Sequence, residues 1–171
     1  MSQTEQNIIL IGMMGTGKST VSELLAKELG YALVDLDAAI VAEQDLTIPE
    51  MFELHGEAYF RQAETDMLRK VLSSGGRQVV ATGGGAVLQP QNCDIMRNGG
   101  IVFALTAKAE TIIERVKGDS NRPLIAGNTE ERIHTILEER KNAYRFAHYT
   151  VDTSGMGPGE VTSLILTHYR V

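Results

Sequence analysis

Apolar residues along the chain fall into two kinds of run that alternate. Five runs are short and β-rich: residues 8–12, 32–36, 78–82, 101–105 and Tyr149–Asp152. Most of them are continuous rather than alternating in hydrophobicity, the pattern of strands buried on both faces. Between them lie longer stretches with helical spacing. Val21, Leu24, Leu25 and Leu29 share one face, and Gly30 supplies a stop after Leu29. Phe60, Ala63, Met67, Leu68 and Val71 form a second stripe over 57–73, closed by Gly75-Gly76. A third helix is predicted from Asn128 or Thr129, where Asn128 and Glu131 have capping-box spacing, to about Arg145. Pro158 opens a last helix at a position where its missing N–H costs nothing. Strands alternating with helices need crossover connections, so the order predicts an α/β fold of three layers, α/β/α, around a five-stranded parallel sheet.

Two segments interrupt this rhythm. Residues 37–56 contain Pro49 and His55-Gly56 and predict two short helices, an acceptor-binding excursion that reaches to about residue 62. The polar, charged stretch over about 115–128 carries Gly118, Pro123 and Gly127 and predicts a mobile lid. No repeat or low-complexity linker divides the chain, and its 171 residues suit one domain, 1–171, around a single core.

The phosphate chemistry is written at Gly12-Met13-Met14-Gly15-Thr16-Gly17-Lys18-Ser19, a full G-x-x-x-x-G-K-[ST] match between a predicted strand and an amphipathic helix. Glycines at that spacing let backbone N–H groups turn inward around phosphate oxygens, and the helix N-terminus adds partial positive charge. Lys18 would reach the outer phosphates of a nucleotide and Ser19 would offer its hydroxyl to Mg²⁺, with Gly15, Thr16, Gly17 and Thr20 completing the cradle. A P-loop fixes the nucleotide and leaves the acceptor open.

Formal net charge is −6, which argues against a nucleic-acid partner and means that a few local groups must make the phosphate site. Cys93 is the only cysteine, so no intramolecular disulfide forms, and it is expected to be a small buried hydrophobe. The first apolar run is far too short for a membrane segment; the expectation is a cytoplasmic protein without a membrane partner. No long apolar stripe is left over once the core is assigned, which predicts a monomer.

In an open parallel sheet, ligands bind beyond the carboxyl ends of the strands, and every unusual cluster falls there. The second strand runs into Asp35-Leu36-Asp37, the third into Gly83-Gly84-Gly85 and the fifth into Asp152-Thr153-Ser154-Gly155. Asp35 and Asp37, alternating along a strand end, would point apart, one toward a metal–water shell and one toward an acceptor hydroxyl; alone, such a pair is equally an ordinary solvated turn. Three glycines after a buried strand let backbone approach a small ligand, or else make a flexible loop. Arg61 has Glu57 and Glu64 at helical spacing to hold it, while Arg140 falls on the inward face near Ile136, Leu137 and Tyr144 and needs an anion there. Either arginine could instead snorkel over apolar neighbours. Arg115 and Arg122 lie in or beside the lid, where an arginine can meet charge on a moving phosphoryl group or simply be solvated.

Together these motifs resemble the shikimate kinase family. The match rests on residues 12–19, Asp35-Leu36-Asp37, Gly56-Glu57 with Phe60-Arg61 and Glu64, Thr82-Gly83-Gly84-Gly85, Arg122-Pro123-Leu124, and Glu139-Arg140 with Tyr144, in family order across nearly the whole chain. The resemblance implies a P-loop kinase fold and transfer of the ATP γ-phosphoryl group to the 3-hydroxyl of shikimate, in aromatic amino-acid biosynthesis. It implies that Asp37 orients the hydroxyl and takes its proton, that Arg61 and Arg140 hold the carboxylate, and that Gly83, Gly84 and Gly85 lie along the ring. Ser19 would ligate Mg²⁺ with Asp35 nearby through water, Lys18 and Arg122 would stabilise transferring charge, and Arg115 would lie on the adenine side. The chain departs from the family at Asn142-Ala143, where many relatives have a proline and leucine, and at Ser154-Gly155-Met156, which offers adenine mainly backbone. A gluconate kinase, a nucleoside monophosphate kinase and a nucleotide-binding regulatory module are the rival readings.

Overall fold

The computed structural model describes residues 5–117 and 129–170. At its centre is β1 (Asn7–Ile11), buried along its whole length and paired in parallel with β3 (Gln78–Ala81) on one side and β4 (Gly100–Thr106) on the other. Outside these lie β2 (Ala32–Asp35) and β5 (Tyr149–Asp152), giving the order β2-β3-β1-β4-β5 with every neighbouring pair parallel. The five-stranded parallel sheet of the sequence expectation is therefore present.

The two-residue period of a strand gives each face its own apolar layer. Ile8 and Leu10 pack with Val21 and Leu25 of α1 (Lys18–Leu29) and with Val161 and Ile165 of α8 (Pro158–Tyr169). Ile9 and Ile11 turn the other way. They meet Leu36 and Ile40 of α2 (Leu36–Gln44), Met51 of α3 (Ile48–His55), Phe60, Met67 and Leu68 of α4 (Glu57–Leu72), and Met96 of α5 (Pro90–Gly99). Each such buried aliphatic side chain contributes roughly 1.5–3 kcal/mol relative to exposure. A smaller cluster of Met13, Ile112, Val116 and Ile133 joins the loop after β1 to α6 (Ala109–Lys117) and α7 (Thr129–Arg140).

The excursion forms the two short helices expected of it. α2 starts where the Asp35 carboxylate accepts the Ala38 N–H at 3.1 Å, and α3 opens with a capping box between Thr47 and Glu50. Among the described residues no helix is long and apolar enough to cross a membrane.

Several expectations are corrected. β2 is an edge strand with Ala32, Leu33 and Asp35 exposed, so burial on both faces does not extend to it. Leu24 lies off the α1 stripe, 37% exposed, because it is rotated by about 100° from the buried Leu25. The third predicted helix stops at Arg140 rather than near Arg145: Ala143 donates to the Arg140 carbonyl at 2.9 Å and Ala147 to that of Tyr144 at 3.3 Å, three-residue reaches that replace helical ones. Asn128, its expected cap, lies outside the described residues. Cys93 is only half-buried, its thiol donating to the Val87 carbonyl at 3.4 Å. Helices α5 and α6 have no counterpart among the elements the apolar pattern predicts, although Ile112 and Val116 are buried at i, i+4 spacing.

Candidate active site

The site lies along the carboxyl edge of the sheet, and its first part is the turn out of β1. Gly12 has φ +142°, and a Cβ there would stand 2.3 Å from the Leu105 carbonyl oxygen, so only glycine lets the chain leave β1 beside the end of β4. Gly17 closes the loop in the left-handed region as the N-cap of α1. Thr16 is buried and braces the loop from within, its hydroxyl donating to the Met13 carbonyl at 2.7 Å. Lys18 lies across the loop and donates to the carbonyls of Gly12 and Met13. Ser19 and Thr20 are exposed beside it.

Gly15, Gly17, Lys18 and Ser19 line a cleft of about 430 Å³ together with Asp35 and Asp37, and the cleft continues to Gly83 and Gly84. Arg115, in the last turn of α6, closes one side. It donates to the Gly15 carbonyl at 2.8 Å, to the Thr153 hydroxyl at 3.2 Å and to the Thr153 carbonyl at 3.2 Å, tying the P-loop to the turn after β5. Sequence reasoning gave Thr153 no role of its own; the available signal was its place directly after the fifth strand. In the same turn the Ser154 hydroxyl accepts the Lys108 N–H at 2.8 Å.

Asp35 and Asp37 do not alternate along a strand end. Asp35 is the last residue of β2 and caps α2, whereas Asp37 stands in the first turn of that helix. The cap turns the chain, and the turn sends Asp37 inward. Its Oδ1 is buried without a hydrogen-bond partner among the described residues. Burial pushes its carboxyl up, Asp35 adds to the rise, and Lys18 and Arg61 oppose it. A buried carboxylate oxygen with nothing to accept from is a site built for a hydrogen-bond donor.

The glycine triplet follows β3, and a Cβ on each of its members would collide with a different side chain. At Gly83 it would come within 2.9 Å of Asp37 Oδ1, at Gly84 within 3.0 Å of Arg140 Nη1, and at Gly85 within 2.6 Å of Arg61 Nη2. What fills the space is in each case the polar end of a side chain, and none of the three glycines has positive φ. Arg61 is held by Glu64 at 3.1 Å and Glu57 at 3.5 Å, as its helical spacing suggested. The Glu64 side chain is only 1% exposed, and burial pushes its carboxyl up against the pull of Arg61. Arg140 is half-buried with no carboxylate in ion-pair range among the described residues, and Tyr144 beside it donates to the Gly84 carbonyl at 3.2 Å. Arg122 and the rest of the predicted lid, 118–128, lie outside the described residues.

In Gly85→Ala the colliding atoms are the far end of a flexible arginine, so the fold should survive, with a lowered melting temperature as Arg61 shifts away from the buried Glu64. Steady-state kinetics should then show an acceptor KM raised by roughly tenfold or more with the ATP KM nearly constant. An unaltered acceptor KM would separate Arg61 from acceptor binding.

This fold, with a P-loop at the end of the central strand and Asp37, Arg61 and Arg140 gathered about the glycines that follow the next, is that of a P-loop phosphotransferase. The comparison with known proteins narrows the class. The family model for shikimate kinase matches residues 14–170. Shikimate kinase of Geobacter sulfurreducens is 46% identical over 96% of this chain and 91% of its own, and that of Thermodesulfovibrio yellowstonii is 42% identical over 96% and 95%. The solved structure of shikimate kinase from Acinetobacter baumannii in complex with shikimate superposes with a TM-score of 0.88 at 38% identity, covering 97% of this chain and 93% of that one. The chain belongs to the shikimate kinase family.

Proposed function

We propose that this chain transfers the γ-phosphoryl group of ATP to the 3-hydroxyl of shikimate, giving shikimate 3-phosphate and ADP for aromatic amino-acid biosynthesis. The observation that carries the reading is the triplet Gly83–Gly84–Gly85, faced in turn by Asp37, Arg140 and Arg61. A ring laid on that backbone would meet two guanidinium groups suited to a carboxylate and one carboxylate suited to a hydroxyl. The Acinetobacter baumannii relative, solved with shikimate, supports the choice of acceptor.

In this reading Asp37 accepts a hydrogen bond from the 3-hydroxyl, aligns it for attack and takes its proton as the bond to phosphorus forms. Lys18 leaves the Gly12 and Met13 carbonyls for the phosphate oxygens, and its attraction grows as charge builds on the moving group. Arg122 would add a second cation from the lid. Arg115, braced between Gly15 and Thr153, would fix the wall on the adenine side. The oxygen donors Ser19 and Asp35 fit Mg²⁺, which keeps most of its waters, and would hold it beside the cradle. When bound, that ion neutralises phosphate charge.

Arg140→Ala tests the carboxylate clamp: the acceptor KM should rise by about 10- to 100-fold, with the ATP KM within a factor of about two. Equal changes in both constants would assign Arg140 elsewhere. The acceptor itself is tested by Mg²⁺-dependent ADP release with shikimate, gluconate, AMP or no acceptor. Shikimate-selective turnover is expected; selectivity for gluconate or AMP would reassign the pocket. We read the protein further as a one-domain cytoplasmic monomer. The exposed Leu24, Leu33, Leu54 and Leu164 lie on four different elements, which supports the monomer. Sedimentation at the mass of a dimer would contradict it.

A further inference from the structure

Two polar side chains that the mechanism does not use are buried behind the acceptor pocket. Asn92, on α5, is fully buried, and Thr65, on α4, is 3% exposed. The Thr65 hydroxyl lies 2.7 Å from Asn92 Oδ1, and Asn92 Nδ2 donates to the Ala86 carbonyl at 3.0 Å. Ala86 is the residue directly after the glycine triplet. Thr65 sits one turn beyond Arg61 on the same helix, its hydroxyl 3.1 Å from the Arg61 carbonyl.

Thr65 has one hydroxyl proton for these two acceptors; given to Asn92 Oδ1, the shorter contact, it makes a strap that runs from the Arg61 helix through Thr65 and Asn92 to the backbone beside Gly85. Those are the two surfaces that approach most closely in the pocket, where a Cβ on Gly85 would stand 2.6 Å from the Arg61 guanidinium. Apolar packing alone would hold α4 near the triplet with some freedom to slide, because dispersion contacts are non-directional. A chain of buried hydrogen bonds has one geometry, and each broken member leaves an unsatisfied polar atom.

We propose that Thr65 and Asn92 are positioning residues for acceptor recognition: their hydrogen bond sets the separation between the Arg61 helix and the glycine triplet, and with it the grip on the acceptor carboxylate. The inference rests on the assignment of Arg61 and Gly85 to the shikimate pocket. It concerns neither the P-loop, which follows β1, nor Lys18 at the start of α1.

The test uses three variants of the full chain. Thr65→Val keeps the shape and removes the hydroxyl, Asn92→Leu removes both polar atoms of the amide, and Thr65→Ser restores the donor without the methyl. Thr65→Val and Asn92→Leu should each raise the shikimate KM by about tenfold, leaving the ATP KM and kcat within about twofold. Thr65→Ser should return close to the wild-type shikimate KM. Should Asn92→Leu fail to fold, the Thr65 pair still decides the matter. A lowered melting temperature with an unchanged shikimate KM, or shikimate and ATP constants that shift together, would make the strap merely structural and overturn the proposal. If the wild-type chain releases no ADP with shikimate, the functional reading fails and this inference with it; normal wild-type turnover with insensitive variants refutes the inference alone.

Discussion

Asp37→Asn should cut shikimate-dependent turnover by roughly 10²- to 10⁴-fold, the range in which a positioned general base contributes. The same change should make the ligand-free protein more stable. Asp37 Oδ1 is buried without a partner, and burial is the largest cause of its raised pKa, followed by the repulsion of Asp35. The folded state therefore binds the Asp37 proton more tightly than the unfolded chain does. Stability contributed by the protonated group is complete at pH below the ordinary carboxylate value and is lost as pH rises from there through the raised value, the reverse of a salt-bridged aspartate. Asparagine does not ionise, so its advantage should be absent near pH 4 and should grow toward pH 8. A gain of about 1 kcal/mol would appear as a melting temperature higher by about 2–4 °C, with chelator present to exclude metal effects. A variant equally stabilised at both pH values, or destabilised at pH 8, would show that ionisation of Asp37 costs the fold nothing. Near-normal turnover would remove it as the base.

Lys18→Ala should lower kcat by roughly 10²- to 10³-fold, the cost typical of removing one preorganised group that meets transition-state charge. The effect belongs mainly in kcat because the ammonium's contacts strengthen as the phosphoryl group moves, whereas the loop backbone and the α1 N-terminus still hold ground-state phosphates. Stability should fall as well, since the buried Gly12 carbonyl loses a donor, while Thr16 still donates to that of Met13. Lys18→Arg should not rescue turnover, because a planar guanidinium does not fit where a compact ammonium crosses a tight loop. Single-turnover kinetics with saturating ATP and shikimate separate this from a binding defect; a rate constant within about twofold of wild type would assign Lys18 to nucleotide binding alone.

Strand order apart, the layered fold was legible because its determinants are local. Continuous apolar runs and glycine or proline stops mark the strands and the helices α1, α4 and α8, though not α5 and α6, and the P-loop occupies consecutive residues. Where local pattern and tertiary context diverge, expectation failed. β2 is apolar enough to suggest a buried strand, but its place at the sheet edge is a property of the assembly. The apolar spacing past Arg140 continued to read as helix, while the structure turns there through Asn142 and Ala143. Asp35 and Asp37 were legible as a pair, yet their division of labour depends on a cap that bends the chain between them. The purpose of the glycine triplet was least visible. Its three Cβ positions are taken by Asp37, Arg140 and Arg61, residues 46 to 56 positions distant for two of them, and only the fold brings these together. Thr65 and Asn92 carry no sequence signal, because buried threonine and asparagine look like any helix-surface residue until their partners are known.

The central claim is that phosphoryl transfer goes to one hydroxyl of shikimate. The most direct measurement is ³¹P NMR with mass spectrometry of the product formed from ATP, Mg²⁺ and shikimate by the purified chain. The account predicts a single phosphate monoester on the 3-oxygen, formed in equal amount with ADP. ADP accompanied only by inorganic phosphate, or a monoester at another hydroxyl, would contradict it.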